Sequence, residues 1–296
     1  MTTIPTEILT ADDLGVAAAA RLILAGEPVA VPTETVYGLA ADATNAEAVA
    51  KIYAAKGRPS FNPLIVHVPD LAAAEAIGSF DEDARSLAIE HWPGPLTLVV
   101  PLKADAPIAA LVTAGLPSIG IRIPAHPAMQ ALLRAVGRPL AAPSANASGS
   151  ISPTRAEHVA QSLGGRIPLI LDGGPCARGL ESTIIAATGG PLRLLRPGPI
   201  VIEGAVAATG KTVEAPGMLA SHYAPSKPLR LNAEAPEPDE YWIDLGDDPV
   251  RAAAQLFDSL HQADASSKPR IAVAPVRAEG LGLAINDRLR RAAADR

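Results

Sequence analysis

Cysteine and aromatic residues are scarce in this chain of 296 residues. Cys176 is the single cysteine, which excludes an intrachain disulfide and any metal site built from several thiolates. Aromatic residues make up 3% of the sequence and apolar residues 48%, so the core has to be built mainly from Ala, Val, Leu and Ile. Runs of ~18 apolar residues, the length of a membrane-spanning helix, are also lacking.

Clustered positive charge is lacking as well. The net charge is −6, and no segment is rich in Lys and Arg. Because affinity for a polyanion rests on neutralising its phosphates, this argues against an extended nucleic-acid surface and leaves room for a local nucleotide pocket. The first residues have neither the basic start nor the apolar stretch of a signal peptide. We expect a cytoplasmic protein without membrane attachment or stable nucleic-acid binding.

Strand-like and helix-like segments are mixed through residues 1–208. A helix is predicted over 11–25 with Thr10 as its cap, and another over 46–56 between Asn45 as cap and Gly57 as stop. Further predicted helices are 81–90, 126–136, 154–163 and 199–208. The predicted strands are 28–31, 64–68, 96–101, 118–123, 138–142, 168–171, 182–187 and 192–195. Because several strands follow one another without a helix, an α/β fold with a mixed sheet and covering helices is expected.

The pattern changes after residue 208. Residues 209–239 are rich in proline and irregular, which is typical of a linker. Residues 240–296 predict a small β-α-β-α unit, with strands at 241–245 and 270–276 and helices at 248–262 and 282–294. So small a unit is marginal alone, and we expect it to pack on the first domain.

Common nucleotide-binding motifs are incomplete. Residues 174–179 have the glycine spacing of a P-loop, but Leu180 and Glu181 stand where Lys and Ser or Thr are required. Gly280 and Gly282 lack the third glycine of a dinucleotide fingerprint. A nucleotide would therefore have to bind in another way.

Hydroxyl, amide and cationic side chains recur at the ends of the predicted strands. Thr33 and Thr35 could form a simple polar turn, and Lys56 and Arg58 could complement a helix dipole. Arg122, within an apolar strand, needs either a carboxylate partner or an anionic ligand. Their convergence with the polar loops at 139–154 and 172–185 indicates a binding site for a phosphate-bearing small molecule.

Seven segments resemble, in the expected order, the YrdC-like threonylcarbamoyl-AMP synthase family. They are PTETVYGL, KGRPSFNPLIVHV, HWPGPLTLVV, SIGIRIPAHP, PLAAPSANASGSISPT, DGGPCARGLESTII and LLRPGPI. The later APGMLASHYAPSKPL and EGLGLAINDRLRRAA resemble the linker and the end of the two-domain long form, here with a shortened C-terminal domain. The resemblance implies a YrdC-like catalytic domain over 1–208, with a twisted mixed sheet, a linker or lid over 209–239, and a Rossmann-like α/β unit over 240–296.

The same resemblance implies an activity. Such enzymes are nucleotidyltransferases that make threonylcarbamoyl-AMP and pyrophosphate from L-threonine, bicarbonate and ATP, with Mg²⁺ accompanying ATP. A separate complex then transfers the threonylcarbamoyl group to tRNA, so a transient downstream partner is expected. The linker is expected to cover the labile product and keep it from water.

Residue roles follow from the resemblance position by position. Lys56 and Arg58 are the expected catalytic residues, and no metal-ligating residue is assigned. The residues expected to bind ATP are Arg58, Asn62, Ser118, Ser144, Ser152, Arg196 and Tyr223. Those expected to bind L-threonine are Thr33, His67, Arg122, Ala142 (through its backbone) and Ser182.

Three other interpretations stay open from the sequence. The first is a non-catalytic RNA-binding module, against which the net acidity and the few aromatic residues count. The second is an enzyme that makes another carbamoyl adenylate, as in hydrogenase maturation, although a single cysteine excludes the zinc fingers of such proteins. The third is a relative with the same fold and no synthase activity.

Overall fold

A computed structural model of the chain describes residues 4–209, 213–218 and 221–294. The strands in these ranges are β1 (Glu7–Thr10), β2 (Val29–Val31), β3 (Gly38–Asp42), β4 (Ile65–His67), β5 (Leu96–Pro101), β6 (Ser118–Arg122), β7 (Leu140–Ala141), β8 (Leu169–Asp172), β9 (Thr183–Ala186), β10 (Arg193–Arg196), β11 (Val206–Ala207), β12 (Leu229–Arg230), β13 (Glu240–Ile243) and β14 (Arg270–Val273). The helices are α1 (Asp13–Leu24), α2 (Ala46–Lys56), α3 (Leu71–Ile77), α4 (Glu82–His91), α5 (Ala110–Thr113), α6 (Pro127–Val136), α7 (Ala156–Leu163), α8 (Pro249–Ala265) and α9 (Leu281–Ala292). In the described part, no helix is both long enough and apolar enough to span a membrane.

The first domain is built on one sheet with the strand order β1-β8-β2-β3-β7-β4-β6-β5-β9-β10-β11. The sheet contains parallel pairs such as β4 with β6 and antiparallel pairs such as β5 with β6, so it is mixed. Successive residues of β3 enter different apolar clusters: Leu39 and Ala41 pack with α2 and α7, and Ala40 packs with α1 and α6. Helices therefore cover both faces, and the predicted mixed α/β fold class is confirmed.

Local signals explain several helix boundaries. Asn45 caps α2, its side-chain oxygen accepting from the backbone N–H groups of Glu47 and Ala48, and Gly57 ends the helix at φ 60°. Both ends agree with the sequence prediction. The predicted cap of α1 is wrong: Thr10 closes strand β1, and Asp12 caps the helix by accepting from the N–H of Gly15 at 2.9 Å.

The helix predicted over 199–208 is also wrong. That segment contains turns and the short strand β11, which pairs in parallel with β10. Gly204 has φ 76°, a left-handed conformation that interrupts a helix, and the neighbouring Val201, Ile202 and Val206 are β-branched. Strands β1 and β3 and helices α3 and α5 were not predicted.

The second unit is a three-stranded parallel sheet in the order β12-β14-β13, with helices α8 and α9. Its strands β13 and β14 and both helices lie close to their predicted ranges. Strand β12 lies within the predicted linker and belongs by hydrogen bonding to this sheet. The exact division at residues 208 and 239 stays a prediction.

The second unit shares an apolar cluster with the first domain. Phe257 and Leu260 of α8 pack in one cluster with Val36, Ile151 and Leu180 of the first domain. The small unit thus completes its core with residues of the larger one, which offsets the limited area that it can bury alone.

A stacked histidine pair lies in the same interface. The rings of His158 on α7 and His261 on α8 are 3.7 Å apart at an angle of 16°. Nε2 of His261 lies 3.2 Å from the carbonyl oxygen of Ser152, and Nε2 of His158 lies 3.5 Å from Oδ1 of Asp258. Burial, with the second ring beside it, lowers the pKa of His261 to about 4, and burial also lowers the pKa of His158.

We predict that Gly179→Ala weakens the packing of the second unit on the first domain. Gly179 has φ +65°, and a Cβ there would lie 2.4 Å from the carbonyl oxygen of Ala254 and 2.5 Å from that of Ala253. Gly174→Ala is the matched control, since its φ is +78° and a Cβ there meets nothing within 4 Å. Backbone strain should cost each variant about 1 kcal/mol, and Gly179→Ala should lose further free energy of unfolding in urea. Equal stability and equal protease resistance of the two variants would contradict this packing.

We also predict that His261 makes stability fall with acidification. Its folded-state pKa of about 4 lies below the ordinary value of 6.5, so the unfolded chain takes up the proton first as the pH falls. The contribution of neutral His261 to the free energy of unfolding is fully present above pH 6.5 and is lost as the pH falls towards 4. It amounts to about 3 kcal/mol at most. Urea unfolding at pH 7, 6 and 5 should show a shallower decline for His261→Phe than for the wild type. Parallel declines would show that His261 does not carry this effect.

Candidate functional site

Polar side chains from several strand ends meet in one cleft of the first domain. The residues assigned from the sequence that line it are Thr33, Arg58, His67, Arg122, Ala142, Ser144, Ser182, Arg196 and Tyr223. The cleft is also lined by residues to which no role had been assigned: Thr35, Glu181, Pro216, Gly217 and His222. Four other assigned residues, Lys56, Asn62, Ser118 and Ser152, lie outside this lining.

Arg122 has a carboxylate partner, which is one of the two possibilities left open by the sequence; its assignment to L-threonine stays a prediction. Its Nη2 lies 2.5 Å from Oε1 of Glu34, and its Nη1 donates to Oγ1 of Thr35 at 3.0 Å. Its Nε donates to the carbonyl oxygen of Gly94 at 3.2 Å. Burial alone would raise the pKa of Glu34, but the charge and hydrogen bond of Arg122 hold it below its ordinary value. The pair is therefore ionised and locally neutral.

Thr33 forms the polar turn that its sequence context suggested, and it also lines the cleft. Its Oγ1 donates to the carbonyl oxygen of Val36 at 2.6 Å and accepts from the N–H groups of Thr35 and Val36. This turn fixes the side chains of residues 33–35 at the end of β2. The local structural role and the position in the site are thus compatible.

Two buried arginines in the cleft bind only carbonyl and hydroxyl oxygens. Arg58 donates to the carbonyl oxygens of Asn62 and Pro63 at 3.2 and 2.9 Å. Arg196 donates to the carbonyl oxygen of Ser182 through Nε and Nη2, at 3.1 and 3.0 Å. Neither arginine forms an ion pair with a carboxylate of the described residues.

Within the described residues, no carboxylate forms an ion pair that would neutralise the charge of either arginine. Burial lowers the pKa of Arg58 to about 10, and burial likewise lowers the pKa of Arg196. Both guanidinium groups remain charged at neutral pH and repel each other. Because buried charges are costly without a partner, this arrangement is typical of a site that binds an anion.

Lys56 anchors the loop that carries Ser144. Its Nζ donates to the carbonyl oxygens of Ser144 and Asn146 at 2.6 and 2.5 Å, and burial lowers its pKa well below the ordinary value. The amine bridges the end of α2 and this loop. Its assignment as a catalytic residue stays a prediction.

Several buried polar atoms in or near the cleft have no partner in the described part of the chain. Among them are both side-chain polar atoms of Asn62, Nδ1 of His67, Nδ1 of His222 and the hydroxyl of Tyr223. Buried polar atoms are almost always hydrogen-bonded in proteins, so these atoms indicate positions that a ligand or water would satisfy. Burial lowers the pKa of His67 to about 3, so its ring is neutral at physiological pH.

The linker takes part in this site. Pro216 and Gly217 line the cleft, and a Cβ on Gly217 would lie 2.7 Å from the hydroxyl of Tyr223 and 2.9 Å from Cδ of Arg196. Tyr223 is buried, with its ring centroid 5.5 Å from that of Phe257 on α8. Of the remaining assigned residues, Ser118 borders a neighbouring pocket with Pro216, and Ser152 donates to Glu181.

Comparisons with known proteins agree with this architecture. The Sua5/YciO/YrdC family model, described as "Telomere recombination", matches residues 21–198. The model described as "Threonylcarbamoyl-AMP synthase, C-terminal domain" matches residues 199–244 and 234–294. The fold and site therefore define a YrdC-like domain joined to a Sua5-type C-terminal unit. The chain belongs to the Sua5/YciO/YrdC family, which confirms the resemblance drawn from the sequence motifs.

Two curated relatives and one crystal structure match this chain over more than 90% of both lengths. The threonylcarbamoyl-AMP synthase of Bacillus subtilis is 41% identical and covers 98% of this chain and 96% of its own. The Pyrococcus abyssi protein of the same name is 39% identical, with 93% and 92% covered. The crystal structure of P. abyssi Sua5 complexed with L-threonine is 36% identical and superposes with a TM-score of 0.89, covering 99% of this chain and 98% of that one.

Glu34→Gln should destabilise the fold by leaving Arg122 buried without its counter-charge. We expect a loss of about 3 kcal/mol in the free energy of unfolding at pH 7, measured in urea. The lowered pKa of Glu34 means that its contribution is present above pH 4.5 and fades below it, so the two proteins should converge on acidification. Glu90→Gln, on the exposed side of α4, is the control and should stay within about 0.5 kcal/mol. A loss no larger than that of the control would show that the ion pair contributes nothing.

Proposed function

We propose that this chain is an L-threonylcarbamoyladenylate synthase that joins L-threonine, bicarbonate and ATP into threonylcarbamoyl-AMP and releases pyrophosphate. The observation that carries the proposal is the pair of buried arginines, Arg58 and Arg196, without a carboxylate partner in the described residues. They share a cleft with Arg122, which is neutralised by Glu34, and with the hydroxyl groups of Thr33 and Thr35. The two unpaired arginines thus suit a polyphosphate, and the neutralised Arg122 with its hydroxyl neighbours suits an amino acid. The names of the relatives support the same assignment.

The chemistry requires two anions to be held together. The amine of threonine and bicarbonate form a carbamate with loss of water, and a carbamate oxygen then attacks the α-phosphorus of ATP. The new P–O bond forms as the bond to the bridging oxygen breaks, and pyrophosphate takes the electron pair. Arg58 and Arg196 would neutralise the phosphates and the leaving pyrophosphate in a site that excludes water. This would be a nucleotidyl transfer without a covalent intermediate on the enzyme.

Arg122 retains capacity for the carboxylate of threonine. Three of its donors are occupied by Gly94, Thr35 and Glu34, which leaves one N–H on each terminal nitrogen. A carboxylate could accept from these, and the hydroxyl groups of Thr35 and Ser182 lie in the same cleft. The neutral ring of His67 could meet the hydroxyl group of threonine.

Mg²⁺ is expected to enter with ATP. In the described ranges, no group of three or more His, Cys, Asp or Glu side chains could hold a metal ion. The two carboxylates near the cleft, Glu34 and Glu181, are each paired with an arginine. A metal ion carried by the phosphates would supply further charge neutralisation there.

The product would pass to a transient partner that transfers the threonylcarbamoyl group to tRNA. An enzyme with these substrates would work in the cytoplasm, where ATP and tRNA are present.

The first test is pyrophosphate release from purified protein with ATP, Mg²⁺, L-threonine and bicarbonate, with each component omitted in turn. We expect release to require all of them. Release without threonine would indicate another acceptor on the same fold. No release from folded protein would contradict the synthase assignment and favour a binding module.

Arg196→Ala and Arg58→Ala should each lower kcat/KM by about 10²- to 10³-fold, because each removes charge stabilisation from the phosphates. Arg193→Ala is the matched control on the same strand, since Arg193 pairs with Glu214 outside the cleft. It should change turnover by less than about threefold. Near-normal turnover of Arg58→Ala or Arg196→Ala would refute the assigned roles.

A further inference from the structure

The second carboxylate of the cleft is neutralised from the other structural unit. Glu181, in the loop before β9, accepts at Oε2 from Nε of Arg288 at 2.9 Å, and Arg288 lies on α9. Arg288 is completely buried, with an exposed fraction of 0%. A charged side chain is seldom so deeply buried unless it is paired, and Glu181 and Asp287 are the partners here.

Arg288 contacts two residues that line the cleft, Tyr223 and Glu181. Its Nη1 donates to Oδ2 of Asp287 at 2.8 Å, and its Cζ lies 5.3 Å from the centroid of the Tyr223 ring. The other oxygen of Glu181, Oε1, accepts from the hydroxyl of Ser152 at 2.5 Å. The carboxylate is therefore fixed by a hydroxyl group from the first domain and a guanidinium group from the second unit.

The Glu181 carboxylate lies close enough to Arg196 for the two charges to interact, so its position affects Arg196. Burial would raise the pKa of Glu181, but the charges of Arg288 and then of Arg196 hold it below the ordinary value. Without Arg288, the strongest remaining counter-charge for this buried carboxylate would be Arg196. An ion pair with Glu181 would neutralise the charge by which Arg196 binds an anion. The carboxylate would also repel the phosphates.

We infer that Arg288 is a positioning residue for the nucleotide: by holding Glu181, it keeps Arg196 free for the phosphates of ATP. The inference rests on the proposed function in taking ATP as the anion bound by Arg196. It assigns the second unit a direct electrostatic part in the site, in addition to its packing on the first domain.

The test replaces Arg288 by Met, which keeps much of the side-chain length and removes the charge. Calorimetry with ATP and Mg²⁺, and separately with L-threonine, gives the two dissociation constants, and pyrophosphate release gives the two KM values. We expect the dissociation constant and KM for ATP to rise about tenfold or more, and those for L-threonine to change less than about twofold. Arg290→Met, exposed on the same helix, is the control and should leave all four values unchanged.

The double variant Arg288→Met/Glu181→Gln separates charge balance from packing. If Arg288 acts by neutralising Glu181, removing both charges should restore ATP affinity to within about threefold of the wild type. If Arg288 is only a packing residue, the double variant should be as weak as the single one or weaker. That result, or an equal loss of ATP and L-threonine affinity in Arg288→Met, would overturn the inference.

Glu181→Gln alone keeps the inference testable if Arg288→Met does not fold. It leaves Arg288 bound to Asp287 and should bind ATP as tightly as the wild type or more tightly. A tenfold weaker affinity would show that the carboxylate itself serves the nucleotide, and the inference would fail. ATP binding without pyrophosphate release in the wild type would count against the proposed function and leave this inference standing.

Discussion

The structure of the cleft depends on how buried charge is balanced. Glu34 neutralises Arg122 and Arg288 neutralises Glu181, whereas Arg58 and Arg196 are left to carbonyl and hydroxyl oxygens. Burying a charge without a partner costs several kcal/mol, so a fold that keeps two such groups gives up stability at this point. An anionic ligand that pairs with Arg58 and Arg196 would offset this loss of stability when it binds.

The second unit is part of this arrangement. Its helix α8 completes an apolar cluster with Leu180 and packs against Gly179, where only a glycine allows the backbones to approach so closely. Its helix α9 supplies Arg288, and Phe257 of α8 packs against the ring of Tyr223 in the linker. A unit whose size makes it marginal alone is thus stabilised by the same contacts that complete the site, so its folding and the organisation of the cleft are coupled.

The sequence predicted those features whose cause is local. The boundaries of α2 follow from Asn45 and Gly57, which act on their own helix. For α1, both Thr10 and Asp12 are suitable caps by residue type. Thr10 is taken up in the pairing of β1 with β8, so Asp12 is the cap. Strand β3 was missed because its five residues are buried on both faces and include glycine and three weak strand formers. The assigned residues came from family motifs. The partners of Arg122 and Arg288 lie 88 and 107 residues away, and no local pattern in the sequence encodes such pairs.

Gly57 shows how one backbone conformation can direct two side chains to different tasks. It adopts φ 60° between Lys56 and Arg58, with no atom within 4 Å of a hypothetical Cβ, so the conformation rather than crowding favours glycine there. On one side of this turn, Lys56 closes on the carbonyl groups of Ser144 and Asn146 and holds their loop in place. On the other side, Arg58 enters the cleft that this loop borders through Ser144. The structural and the functional interpretations of these two basic side chains therefore do not compete: Lys56 fixes the loop that borders the cleft, and Arg58 extends into the cleft beside that loop.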